Sequence, residues 1–183
     1  MGNRVYLGID VGSKGFITLN TGSEYEFYSI EDNDLYQLSN IFSDIKNRYP
    51  NVVCAIEQIH AIFGSSAKAT FSFGEINGVL KGLLIANKIP YHLVPPKTWQ
   101  KEMWDNKDLV VSYKTINKKD GSTIAKKDVN TKQTSFNAAK RIFPNIDLRK
   151  TTRCKNLDDN KCDSLLLSEY ARRKNLKLTQ IFT

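Results

Sequence analysis

The sequence predicts a mixed α/β domain. Three observations carry that reading. Short β-branched runs recur at 4–10, 52–57 and 91–94, longer segments with apolar residues at helical spacing lie between and after them, and turn residues punctuate the junctions. With 183 residues the chain is long enough for one proper core, and 1–183 reads as a single domain.

The elements follow in order. Residues 4–10 form a buried strand, 12–15 a turn, and FITL at 16–19 its hairpin return. Residues 25–30 alternate as a third strand. Over 34–49, Leu35, Leu38, Ile41, Phe42 and Ile45 recur at helical spacing, Asp32 or Asn33 can cap the helix, and Pro50-Asn51 ends it. VVCAIE at 52–57 is the next strand and is expected near the centre of the sheet. A long helix spans about 66–87 and carries Gly74 and Gly78 four apart. Glycine costs roughly 1 kcal/mol per helical position relative to alanine, so two on one face imply close approach of another helix or a ligand. A fifth strand at 91–94 is closed by Pro95-Pro96, and a short helix follows at 97–104. Helices at 131–143 (Phe136, Ala139, Ile142) and 158–174 (Leu165, Leu166, Tyr170, Ala171) complete the chain. The stretch 105–130 is polar and Lys-rich, with an Asp120-Gly121 turn. It reads as a loop ordered on binding or as a β-excursion.

Composition narrows the function. No apolar run approaches the ~20 residues of a membrane span, so no membrane partner is expected. The N-terminus enters a strand without a signal-peptide layout, and Tyr6 stands where a myristoylation signal needs Ser or Thr. Cys54 lies in an apolar strand, Cys154 and Cys162 are too far apart for a CxxC clip, and there are only two histidines. These facts argue against structural zinc and for a reduced, cytoplasmic setting. The net charge of +8 and pI near 9.3 favour an anionic partner, most often nucleic acid. Lys and Arg are densest between Lys97 and Lys155.

The acids are the informative residues. VYLGID ends at Asp10 and VVCAIE at Glu57, and a carboxylate ending a β-branched strand is poorly placed for packing. A third group, DDNKCD, opens the last helix. Asp159 and Asp163 are four apart and share one face, Asn160 is three before Asp163, and Asp158 is as well explained as a helix cap. Hard oxygen donors of this kind select Mg²⁺ or Mn²⁺ over zinc, and two such ions in one site can hydrolyse a phosphodiester.

These residues fall within a recognisable pattern. GIDVGSKG at 8–15, AIEQIHAIFGSSAKATFSFGEINGVL at 55–80, VPPKTWQK at 94–101, TKQTSFNAAKRIFP at 131–144 and DDNKCDSLLLSEYA at 158–171 occur in this order. Together the five segments resemble Holliday-junction resolvases of the RuvC type, in particular the smaller phage-borne branch. The resemblance implies an RNase H-like α/β fold, a mixed five-stranded sheet flanked by helices. It implies a homodimer that cuts branched DNA, four-way or Y-shaped, by two-metal hydrolysis that leaves a 5′-phosphate and a 3′-hydroxyl. Asp10, Glu57 and Asp163 match the family's catalytic, metal-binding acids. Many members carry the fourth acid where this chain has Asn160. Asp159 takes the role here and Asp158 is held in reserve. Lys132 matches a lysine that neutralises charge in the transition state. Lys97, Lys101, Lys126, Lys127, Lys132 and Ser135 are expected to contact DNA, with His60 and Ser65 in the loop after Glu57. Gly74 and Gly78 fall on the helix the family uses for dimerisation. Residues 102–130 exceed the family's usual connection and read as a basic insertion. The sequence is silent on whether a helicase partner is needed. Three other readings compete. They are a branched-DNA-binding protein with weak or absent cleavage, another RNase H-like nuclease such as a hybrid nuclease or integrase core, and an actin-like kinase. The kinase reading fails because the chain is short for two lobes and lacks a second phosphate loop.

Overall fold

Strand β1 (Val5–Asp10) is the axis of the fold, with neighbours of opposite sense on its two sides. The computed structural model describes residues 4–59, 66–117 and 122–177. β2 (Phe16–Asn20) returns antiparallel to β1 and is followed by antiparallel β3 (Tyr25–Ser29). On the other side β4 (Val52–Glu57) and β5 (Tyr91–Val94) run parallel, so the sheet order is β3-β2-β1-β4-β5. This is the expected mixed five-stranded sheet. VVCAIE takes the inner position its apolar run predicts.

Alternation along the strands divides the interior into two cores. Leu7, Ile9, Cys54 and Ile56 face α1 (Leu35–Arg48) and α2 (Ala67–Ala86). Tyr6, Val53 and Ala55 face α3 (Pro96–Met103), α4 (Thr131–Ile142) and α5 (Asp159–Arg173). Helix α5 is buried continuously from Ser164 to Ala171. It runs opposite to β1, for its C-terminal neighbour Asn175 takes hydrogen bonds from Arg4 and Tyr6 at the start of that strand. Its close approach depends on Gly8. A Cβ there would lie 2.2 Å from the Ser164 carbonyl oxygen and 2.3 Å from the Ser168 amide nitrogen. Buried polar contacts tie the same surfaces together: Thr18 and Ser164 hydroxyls lie 2.7 Å apart, and the Asn20 amide donates to Ser168 at 3.3 Å.

One local expectation is corrected, and two burial details are added. Asp34, not Asp32 or Asn33, caps α1, because Asp34 and Gln37 exchange side-chain to backbone hydrogen bonds. Asp32 instead pairs with Lys150 at 3.1 Å. Leu35 is 56% exposed, since the buried stripe of α1 is Leu38, Phe42 and Ile45 and the first turn projects past it. Phe136 and Ile142 are half-buried, and the inner face of α4 is the smaller set Thr134, Ser135, Ala138 and Ala139.

The stretch after α3 is a β-excursion. A short 3₁₀ turn (Asn106–Asp108) leads into an antiparallel hairpin of β6 (Val111–Asn117) and β7 (Thr123–Val129), which forms its own two-stranded sheet. Its root is fixed. Buried Asp108 receives Arg141 of α4 at 2.6 Å, Asn137 donates to the Asp108 carbonyl at 2.9 Å, and the Val110 amide donates to the Thr134 hydroxyl at 3.1 Å.

Candidate active site

Strand register and pleat bring Asp10 and Glu57 together. Tyr6 is level with Val53 and Gly8 with Ala55, all on the α5 face, so two residues further on Asp10 and Glu57 end neighbouring strands on that same face. The antiparallel course of α5 sets its N-terminus over this edge and delivers Asp159 and Asp163. The Asp10 carboxyl is held well above the usual range by burial first, and then by the charges of Asp163, Glu57, Asp159 and Asp158. Sequence-distant acids therefore share one electrostatic site.

Each acid has a distinct environment. Asp163 is raised to about 7, mainly by burial, with Glu57 and Asp159 adding to the shift and a hydrogen bond from Ser135 opposing it. Its Oδ1 is buried without a hydrogen-bond partner. Burial also raises Glu57, against the indole N–H of Trp99, which donates to Glu57 Oε1 at 2.9 Å. Trp99 is itself 1% exposed, so this donor is rigidly held. Asp159 pairs with Lys132 at 2.5 Å, and that contact raises the lysine's pKa. Asp158 serves as the α5 N-cap, accepting from the Lys161 amide at 2.9 Å.

Among the described residues, no three acidic, His or Cys side chains stand close enough as placed to hold one ion. The donor chemistry nevertheless fits a hard divalent cation. The half-buried carboxylates repel one another, and one buried oxygen of Asp163 lacks a partner. An uncompensated buried charge is costly, and a cation is the usual remedy.

The remaining expected residues divide into four groups. Lys97 and Lys101 are exposed on α3, Lys126 and Lys127 on β7, and Lys132 at the start of α4. Ser135, expected at the DNA surface, is 1% exposed and acts on Asp163, lowering its pKa. Gly74 and Gly78 face open space within the chain, as does Gly82 one turn further on. His60 and Ser65 lie outside the described residues. Trp99 was missed as a site residue, although its place just past β5, the strand beside β4, was a usable signal. Gly82 extends the four-residue glycine spacing and was equally legible.

These raised carboxyl values set a pH dependence. A carboxyl whose folded pKa exceeds its unfolded value leaves stability untouched below about pH 4. It imposes a growing penalty as pH rises to its folded value, and the full penalty above that. With Asp163 near 7, wild type without divalent ions should lose stability relative to Asp163→Asn between about pH 4 and pH 7. The relative loss is expected to reach roughly 2 kcal/mol or more, and Mg²⁺ should shrink it. Paired urea melts across this range provide the check, and parallel profiles for the two proteins would contradict the assigned environment.

The sequence matches no protein-family model and no curated protein. The structure does have relatives. It is similar to Thermus thermophilus RuvC in complex with a Holliday junction substrate, with a TM-score of 0.53 and 10% identity, covering 93% of this chain and 96% of that one. The chain has the RuvC fold. A second Thermus thermophilus RuvC structure covers the same shares at 14% identity and a TM-score of 0.49. On this RuvC fold the carboxylates lie where two parallel strands end beneath a helix N-terminus, whose dipole favours negative side chains.

Proposed function

We propose that this protein is a divalent-metal-dependent endonuclease that cuts Holliday junctions and other branched DNA as a homodimer. The observation that carries the proposal is the convergence of Asp10, Glu57, Asp159 and Asp163 at one sheet edge, with an unpartnered buried oxygen on Asp163. The similarity to a RuvC bound to a Holliday junction supports it.

In this reading the four carboxylates hold Mg²⁺ or Mn²⁺, two ions per site. When bound, the ions supply Lewis acidity for phosphodiester hydrolysis. The protein does the rest. Trp99 fixes one oxygen of Glu57 and leaves the other free to point into the site. Ser135 orients Asp163. Lys132 sits against Asp159 and can pass its charge to the scissile phosphate, a group that gains negative charge during reaction. Lys97, Lys101, Lys126 and Lys127 supply phosphate contacts on the surrounding surface. The sequence motifs further favour the smaller phage-borne branch, with the host cytoplasm as its place of action. No helix among the described residues is long and apolar enough to cross a membrane.

The experiment is direct. Labelled four-way, Y-shaped and linear duplex DNA are incubated with the protein in Mg²⁺ or EDTA. Paired, metal-dependent nicks confined to branched DNA are expected. Branched-DNA binding without nicks would favour a binding protein, and equal cutting of linear duplex or an RNA–DNA hybrid would favour another nuclease of this fold.

The homodimer is expected to form through α2. Phe71 and Ile85, 74% and 53% exposed, bracket Gly74, Gly78 and Gly82 along one helical stripe. Small residues let helix backbones approach closely, and this stripe has no partner within the described chain. Gly78→Leu should therefore shift sedimentation mass from dimer to monomer, whereas an unchanged dimer would place the interface elsewhere.

A further inference from the structure

The β6–β7 hairpin is built against its own stability. Its register sets Lys114 directly across from Lys126, and like charges in that relation are destabilising. Two residues toward the tip and on the same face, Ile116 pairs with Ile124, and both are exposed, at 40% and 42%. Tyr113 on the opposite face is 70% exposed beside Lys127. Asp128 offsets part of the charge through Lys114, at 2.6 Å. Two-stranded hairpins are marginal in water, so features that weaken one further point to a surface shaped by a ligand.

Charge and spacing identify that ligand. The apolar pair and the lysine pair are two residues apart along the strands, roughly 7 Å, which is about two base-pair rises along a duplex axis. An isoleucine pair entering a base step would leave both lysines level with flanking phosphates. Apolar wedges of this kind unstack bases and kink duplexes. The arm is also aimed. Seven residues per strand give it a reach on the order of 20 Å. Its root is locked by Asp108 and Arg141, and Asn130 at its end caps α4 two residues before Lys132.

We infer that the hairpin is a junction-opening wedge: Ile116 and Ile124 insert between bases at the branch point while Lys114 and Lys126 hold the adjoining phosphates. The inference rests on the branched-DNA reading above and adds that the protein actively unstacks the crossover. A branch point is the least costly place to insert, since its base pairs are stacked on one side only.

The test uses the full-length protein in EDTA with four-way junctions carrying 2-aminopurine beside the crossover. Wild type should raise the fluorescence about twofold or more as the base unstacks. The double variant Ile116→Ser/Ile124→Ser should abolish the rise while binding the junction within about threefold of wild type, because phosphate contacts persist. Ile116→Met/Ile124→Met should restore the rise, which separates apolar insertion from hairpin unfolding. Tight junction binding by wild type with no fluorescence change would overturn the wedge and leave the nuclease reading intact. A rise that survives in the serine variant would do the same. Absence of any preference for branched DNA would overturn both.

Discussion

Asp10→Asn and Glu57→Gln should each lower junction cleavage by about three orders of magnitude while leaving junction binding in EDTA close to wild type. On the proposed function the two effects separate, because the carboxylates would hold ions and the lysines on α3, β7 and α4 would supply the affinity. Stability supplies an internal control. Asp10 is held unfavourably by burial and by four neighbouring acids, so removing its charge relieves repulsion. Asp10→Asn should melt at the same temperature as wild type or higher in EDTA. An inactive variant that is at least as stable has lost chemistry and not fold. Cleavage retained by either variant would overturn the proposed role of these acids.

Gly8→Ala should be strongly disruptive for the addition of a single methyl. The added carbon would overlap backbone atoms of α5, at 2.2 Å from the Ser164 oxygen and 2.3 Å from the Ser168 nitrogen, and no rotamer change can relieve that. Helix α5 must lift from β1, which opens the core where Leu165 and Leu166 are fully buried. A cost of about 3 kcal/mol or more is expected, or a fall in Tm on the order of 10 °C. Activity should fall further than stability alone accounts for, because the same displacement carries Asp159 and Asp163 away from Asp10. Thermal melts and cleavage rates measured on one preparation test both parts. A Tm within about 2 °C of wild type would show that α5 can yield at little cost.

Much of this architecture was legible because its signals are local. Asp10 and Glu57 stood out as acids ending apolar runs, and the four-residue spacing of Asp159 and Asp163 already put them on one face. The direction of α5 was not readable, since nothing within that segment names its partner. The cap of α1 was misplaced because 32–34 offers three good capping side chains, and the choice fell to the reciprocal bond with Gln37. Residues 105–130 were ambiguous for another reason: the hairpin buries little, so its strands lack the apolar alternation by which strands are recognised. Trp99 lies 42 residues from Glu57, and it is the fold that brings its indole nitrogen within 2.9 Å of that carboxylate. Asp158 and Asp159 are chemically identical neighbours. Helix geometry alone made one a cap and left the other facing Lys132.

The two-sided interior has a practical consequence. The carboxylates and Lys132 belong to the α5 face of the sheet, while the exposed glycine stripe belongs to a helix packed on the other. Changes that redirect subunit pairing can therefore be made without touching the chemistry. If α2 forms the contact, charge-complementary substitutions along its stripe would allow obligate mixed dimers with one intact site and one carrying Asp10→Asn. On the proposed function, such a pair would nick only one strand of each branched DNA it binds.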